Sequence, residues 1–260
     1  VTPTGYALVT GASRGIGAYF AKALAARSWN LIVVARSKDR LEQLAAELSG
    51  GFGVQVEAIP MDLTQSGAPA DLARIVGERG LEVELLVNNA GHGDRGRVAT
   101  LTAEDQSDMI RLNVLALVEL TRFLLPAMIA KGRGAIINVS STAGFQPMPS
   151  VAVYAASKAF VTSFSMALAE EVRGHGITVV TLCPGPTQTA PSTAKSAGSR
   201  FPGGFQPAEE LVEQTLRCLD RGGGLVVPRF INKMMAFTNR LMPLHLAAKI
   251  VKRVMRPPDK

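Results

Sequence analysis

Short, almost unbroken apolar runs alternate along the chain with longer stretches whose apolar positions recur at helical spacing. The runs Tyr6–Thr10, Leu31–Ala35, Val54–Ile59, Leu85–Asn88, Ala135–Ser140, Thr178–Leu182 and Leu225–Val227 are rich in Val, Ile and Leu and predict strands. The segments between them predict helices. Strands that are apolar on both faces and separated by helices imply a parallel sheet covered on each side, the doubly wound α/β arrangement with right-handed crossovers. No internal repeat or linker divides the chain, so residues 1–228 are expected to form one domain and 229–260 a tail that belongs to it or serves as a lid or interface element. The stretch from Gly185 to Gly204, rich in Pro, Ser, Thr, Gly and Ala, reads as a loop or lid.

Composition narrows the function. A chain of 260 residues, 47% hydrophobic, can bury one large core. The net charge of +7 sits at one end: from Arg229 onward there are eight cations and one acid, whereas the first 228 residues carry 20 of each. A neutral body without a stripe of basic and aromatic residues argues against a nucleic-acid partner. Cys183 and Cys218 form no CxxC pair, so neither a disulfide framework nor a metal site is expected, and a reducing, cytoplasmic compartment fits. The apolar runs fall short of the ~20 residues that span a bilayer, which argues against an exported or membrane-spanning chain.

The first candidate chemistry follows the first strand. Thr10-Gly11-Ala12-Ser13-Arg14-Gly15-Ile16-Gly17 leads directly into a helical pattern. Glycines at a strand-to-helix turn let the backbone approach a pyrophosphate, which the free N–H groups and positive end of the helix favour. The second strand is followed by Arg36 where an acid would bind the adenosine ribose hydroxyls; an Arg there selects a 2′-phosphate, hence NADP(H) over NAD(H). Arg14 supplies a second cation and Ser13 a hydroxyl. Further on, Tyr154 and Lys158 stand four apart on a predicted helix and share a face, and Ser141 arrives at the end of the fifth strand. Strand alternation turns Ser140 and Ser141 to opposite sides.

In this order the motifs resemble the short-chain dehydrogenase/reductase family, over roughly residues 5 to 228. TGASRGIG resembles its glycine turn, Asp62-Leu63 its adenine-contacting acid, and Asn88-Asn89-Ala90-Gly91 its NNAG. Tyr154-Ala-Ala-Ser-Lys158 resembles its YxxxK, Ser141 its serine thirteen residues earlier and Asn113 its helical Asn, while Cys183-Pro184-Gly185 with Thr187 and Thr189 resembles its nicotinamide-contacting PG segment. The resemblance implies a Rossmann-type, seven-stranded parallel sheet and NADP(H) bound through Gly11, Ser13, Arg14, Gly15, Ile16, Gly17, Arg36, Asp62, Leu63, Asn89, Ala90, Gly91, Tyr154, Lys158, Pro184, Gly185, Thr187 and Thr189. It also implies a homodimer or homotetramer.

The chemistry of those residues suits hydride transfer to a carbonyl. The growing negative charge on oxygen needs a proton donor, which a tyrosine hydroxyl supplies; a nearby ammonium favours the phenolate required in reverse. Tyr154 is thus the candidate acid, Lys158 its electrostatic support and a holder of the nicotinamide ribose, and Ser141 the donor that polarises the carbonyl. Asn113 either holds a water linking Lys158 to solvent or plays a packing role. His92, Phe145 and Gln146, with Pro147 and the 186–204 loop, are the candidate substrate contacts. The resemblance implies these contacts, and no cation among the first of them is placed to clamp a phosphate or carboxylate, which suits an apolar ketone, an aldehyde or a 3-oxoacyl thioester. A non-catalytic NADPH-binding sensor or interaction protein is the alternative from another class.

The tail departs from compact members of the family. Leu246, Ala247, Ile250, Val251, Val254 and Met255 fall on one helical face, with Lys249, Lys252, Arg253 and Arg256 opposite, and an earlier apolar stretch, Phe230–Met242, ends at Pro243. Three readings follow: packing on the body or a sister subunit, contact with an anionic membrane surface, and docking of an acidic carrier protein.

Overall fold

The computed structural model describes residues 4–188 and 204–254; Thr189, most of the 186–204 loop and Met255 and Arg256 lie outside them. Seven parallel strands run in the order β3-β2-β1-β4-β5-β6-β9, where β1 is Tyr6–Thr10, β2 Asn30–Ala35, β3 Val56–Pro60, β4 Val83–Asn88, β5 Gly134–Val139, β6 Ile177–Leu182 and β9 Gly224–Val226. Each expected strand is present, the first with the expected bounds and the others with ends shifted by at most two residues. A further pair, β7 (Thr187–Gln188) and β8 (Gln206–Pro207), ties together the two ends of the predicted loop.

Why the sheet is buried on both sides is visible in the alternation along each strand. Ala7, Val9, Leu31 and Val33 join one core cluster with Phe20, Ala21 and Leu24 of α1 (Gly15–Ala25), Leu41 and Leu48 of α2 (Lys38–Phe52), and Leu211 and Leu216 of α7 (Ala208–Asp220). Their neighbours Leu8, Ile32 and Val34 face the other side. There they meet Leu72 of α3 (Ala68–Glu78), Leu120 and Met128 of α5 (Ala116–Lys131), and Leu168 of α6 (Ala152–Glu171). The stretches Ala103–Lys131 and Ala152–Glu171 are long and apolar enough to cross a membrane by length and composition, but here they pack along the sheet and supply that second cluster.

The strand order reverses direction between β1 and β4, and in an open parallel sheet the crevice at such a point is where ligands bind. The glycine turn after β1 and Asn89-Ala90-Gly91 after β4 stand on its two sides. The tail forms α8 (Phe230–Leu241) and α9 (Leu244–Val254), with α8 against the short turn Thr142–Phe145 that follows β5.

Candidate functional site

The two sides of the crevice are fastened by one hydroxyl. Thr10 Oγ1 donates to the Val87 carbonyl at 3.2 Å and accepts from the Asn89 and Ala90 amides, each at 3.0 Å. Asn89 Nδ2 returns a hydrogen bond to the Thr10 carbonyl at 2.9 Å. The sequence marked Thr10 only as the start of the glycine turn and gave its side chain no role.

Glycine is required here for two different reasons. Gly11 and Gly15 have φ of +67° and +61°, in the left-handed region. A Cβ on Gly17 would stand 2.4 Å from the Gly11 carbonyl oxygen and 2.5 Å from Asn89 Nδ2, and one on Gly11 2.9 Å from the Ala90 Cα. The turn therefore leaves bare backbone at the N-terminus of α1, where Arg14 is extended and no side chain caps the helix. Its amide donors are available to an anion. Arg14 and Arg36 are exposed and have no ion-pair partner among the described residues, so both charges are available to a ligand. Asp62 accepts from the Thr64 amide and hydroxyl at 3.0 and 2.8 Å, which fixes its carboxylate.

Opposite the turn, Ser141, Tyr154 and Lys158 converge. Ser141 ends the segment after β5 and caps the Thr142–Phe145 turn by accepting from the Ala143 amide at 3.1 Å. Its hydroxyl makes a long, 3.4 Å contact with the Pro184 carbonyl and also acts on the Tyr154 phenol, so it is placed to turn to a substrate oxygen between them. Ser140 points the other way, to the Lys158 carbonyl at 2.7 Å and the Thr162 hydroxyl at 2.7 Å. That orientation separates a structural serine from one facing the site.

Lys158 is 5% exposed, with its Nζ donating to the Val139 carbonyl at 2.8 Å and lying 6.0 Å from the Tyr154 ring centroid. Burial pushes its ammonium down to about 8, against a smaller opposing pull from Cys183. Burial likewise raises the Tyr154 phenol, and the neighbouring Ser141 hydroxyl draws it partly back. The Cys183 thiol is also raised by burial, so it is an inert neighbour. Among the described residues no group of three or more His, Cys, Asp or Glu is placed to hold a metal.

Asn113 lies in a π-helical turn, Arg111–Leu115, between α4 (Ala103–Ile110) and α5. Such insertions often accompany functional sites. Its Nδ2 donates to the His92 carbonyl at 2.9 Å and the Ser157 hydroxyl at 3.0 Å, and its Oδ1 accepts from the His92 amide at 3.0 Å. With both side-chain atoms committed, the Asn113 side chain positions the turn after β4. His92 is partly buried, and its Nδ1 is buried with no hydrogen-bond partner among the described residues.

Phe145, Gln146 and Pro147 do line a cavity of about 480 Å³, together with Met148, Ala155 and Leu244. It lies next to the turn that Ser141 caps. Gly185 is packed so closely against Asn232 of α8 that a Cβ would approach Nδ2 to 2.6 Å. Thr187 donates back to the Gly185 carbonyl at 2.9 Å.

Gly93 is a residue the sequence gave no reason to single out. A Cβ there would stand 2.5 to 3.0 Å from three carbons of the Tyr154 ring. A rigid aromatic ring that is largely buried cannot yield as a flexible chain can. We expect Gly93→Ala to lower kcat by about 10- to 100-fold through displacement of Tyr154 while dinucleotide affinity changes little, as measured by steady-state kinetics beside fluorescence titration.

The model of the short chain dehydrogenase family matches residues 5–199. The chain belongs to that family. This short-chain dehydrogenase is 36% identical over 225 residues to the very-long-chain 3-oxoacyl-CoA reductase of Phaeosphaeria nodorum, an alignment covering 84% of this chain and 64% of the relative. The chain thus spans less than two thirds of that relative's length. Among solved structures it is similar to a short-chain dehydrogenase from Sphingobium yanoikuyae in complex with NADPH, with 32% identity, a TM-score of 0.81 and 98% of each chain covered. It is also similar to the bulky-bulky ketone specific alcohol dehydrogenase of Comamonas testosteroni, at 30% identity and a TM-score of 0.78, covering 98% of this chain and 96% of that one.

Proposed function

We propose that this protein is an NADPH-dependent carbonyl reductase acting on apolar ketones or 3-oxoacyl thioesters. The observation that carries this reading is the convergence of Ser141, Tyr154 and a buried Lys158 across the crevice from a bare glycine turn. The cradle fits a dinucleotide: Gly11 and Gly17 leave space that a Cβ would fill, and Arg14 and Arg36 offer unpaired charge for a 2′-phosphate. Ser13, Gly15, Ile16, Asp62, Leu63 and Ala90 complete the side toward the adenosine and pyrophosphate, and Pro184, Gly185 and Thr187 the side toward the nicotinamide. NADPH, when bound, supplies the hydride.

The chain's own residues manage the oxygen. Ser141 donates a hydrogen bond to the carbonyl and polarises it, and Tyr154 donates the proton as negative charge grows on that oxygen. Lys158 holds an ammonium near the Tyr154 ring that limits the cost of the phenolate left behind. Asn113 fixes the Gly91-His92 turn against α6. The 3-oxoacyl-CoA reductase and bulky ketone specificities named for two of the relatives, with the apolar lining at Phe145 and Pro147, support a bulky apolar carbonyl. Exposed Phe123, Phe160 and Met166 on α5 and α6 support a homo-oligomer paired through those helices; light scattering would report its mass.

The cofactor assignment is tested at Arg36. We expect Arg36→Asp to weaken kcat/KM for NADPH by about 10- to 1,000-fold and to improve that for NADH, because the carboxylate repels a 2′-phosphate and accepts from ribose hydroxyls. The substrate class is tested by NADPH consumption across apolar ketones and 3-oxoacyl thioesters. Tight NADPH binding with no turnover on either class would favour a sensor or interaction protein.

A further inference from the structure

The helix α8 is turned inside out relative to an ordinary surface helix. It buries Asn232, whose Nδ2 donates to the Pro228 carbonyl at 2.9 Å, and presents Phe230, Met234 and Phe237 outward at 77%, 46% and 61% exposure. Those three positions follow the spacing of one helical face. Ile231 and Met235 continue the exposed surface. In α9, Ala247 is buried on the body, but Leu246 and Ile250 of the same expected face are exposed, and Leu244 is exposed at the rim of the apolar cavity. Packing on the body therefore accounts for only part of the tail's apolar surface. Over residues 229–254 the charged side chains are Arg229, Lys233, Arg240, Lys249, Lys252 and Arg253, with no acid.

We propose that the α8–α9 face docks on the surface of a bilayer containing anionic phospholipid, with Phe230, Met234 and Phe237 entering the headgroup boundary and the flanking lysines meeting lipid charge. Exposed apolar residues beside an all-cationic set are what an interfacial helix requires. A second copy in a two-fold arrangement would set this cationic surface against itself. An acidic carrier would pair with the cations but leave the phenylalanine and methionine stripe in water. The docked face adjoins Leu244 and Ala248 at the cavity beside the Ser141-capped turn, so a substrate dissolved in the bilayer would reach the pocket without crossing water. This last consequence rests on the reductase reading; the docking itself does not.

The test is flotation of the full chain with vesicles of phosphatidylcholine alone or with added phosphatidylglycerol, with reduction of a water-soluble ketone assayed in parallel. Binding is expected only to the anionic vesicles and should weaken with salt. Met234→Asp with Phe237→Asp, and separately Lys249→Glu with Lys252→Glu, should each lower the partition coefficient at least about tenfold and leave ketone reduction unchanged. Failure to bind anionic vesicles, or variants that bind as the parent does, would overturn the proposal. So would loss of oligomer mass in the aspartate variant without vesicle binding in the parent, which would assign the face to a second copy. A chain that floats but reduces no carbonyl would preserve the docking and refute the enzymatic reading.

Discussion

Replacing Tyr154 by Phe is expected to lower kcat/KM for carbonyl reduction by roughly a thousandfold while the NADPH dissociation constant stays within about twofold. The hydroxyl is the only part removed. The ring keeps its packing against Gly93, and the Lys158 ammonium keeps its hydrogen bond to Val139. Because the phenol is raised by burial, the parent enzyme holds its proton throughout the ordinary pH range. Its role as acid is therefore not limited by its own ionisation in the direction of reduction. In alcohol oxidation the same raised pKa acts oppositely, and the rate should climb with pH. Stopped-flow measurement of the hydride step separates this loss from slower product release, and an equal loss in kcat and kcat/KM marks an interaction made in the transition state.

Lys158→Met is expected to abolish useful activity and yet to make the protein without cofactor more stable, by about 1–3 kcal/mol near neutral pH. The ammonium is buried with one carbonyl partner, and no acidic side chain is paired with it among the described residues. Methionine has a similar volume and no charge to desolvate. The unpaired Val139 carbonyl offsets part of the gain, by about 1 kcal/mol. The sign of the pH dependence follows from the depressed pKa. Between about 8 in the folded state and an unfolded value near ~10.4, the unfolded chain holds more protons. The parent therefore gains stability as pH rises through that window, and its deficit relative to Lys158→Met should shrink. Activity runs the other way: kcat/KM for reduction should be level below about pH 8 and fall above it as Lys158 loses its proton. Thermal melts of both proteins across this range, beside the kinetic profile, test both signs. A variant less stable than the parent at every pH would show that the buried charge is better compensated than its contacts indicate.

The sheet was legible because its five inner strands, β1, β2, β4, β5 and β6, are buried on both faces, while the edge strands β3 and β9 are not. Leu31 to Val34 supply apolar residues to both clusters, so the run has no polar break and its β-branched content decides strand over helix. The glycine turn was legible because its geometry demands glycine at fixed offsets, and Tyr154 with Lys158 because helical spacing puts them on one face. What was hidden depends on contacts across the fold. Gly93 matters only because it abuts Tyr154, some sixty residues later in the chain and brought near by the sheet. Asn88 and Asn138 pair across β4 and β5 at 2.9 Å, and Asn138 reaches Ser165 on α6 at 2.9 Å; asparagine in a strand has no periodic signature. The pair β7 and β8 is too short and polar to show alternation. In the tail the periodicity was real, but a hydrophobic face does not state which partner covers it. Only the burial of Asn232 and Ala247 shows which sides of α8 and α9 meet the body.

Hydride transfer by this chain to a carbonyl leaves an isotopic record. NADPH deuterated on the transferable position of the nicotinamide ring is incubated with an apolar ketone or a 3-oxoacyl thioester, and the alcohol is followed by mass spectrometry. Deuterium is expected at the carbinol carbon with the parent enzyme, and roughly a thousandfold less labelled alcohol in the same time with Tyr154→Phe. Firm NADPH binding with an unlabelled product, or equal labelling by the two proteins, would contradict such a transfer.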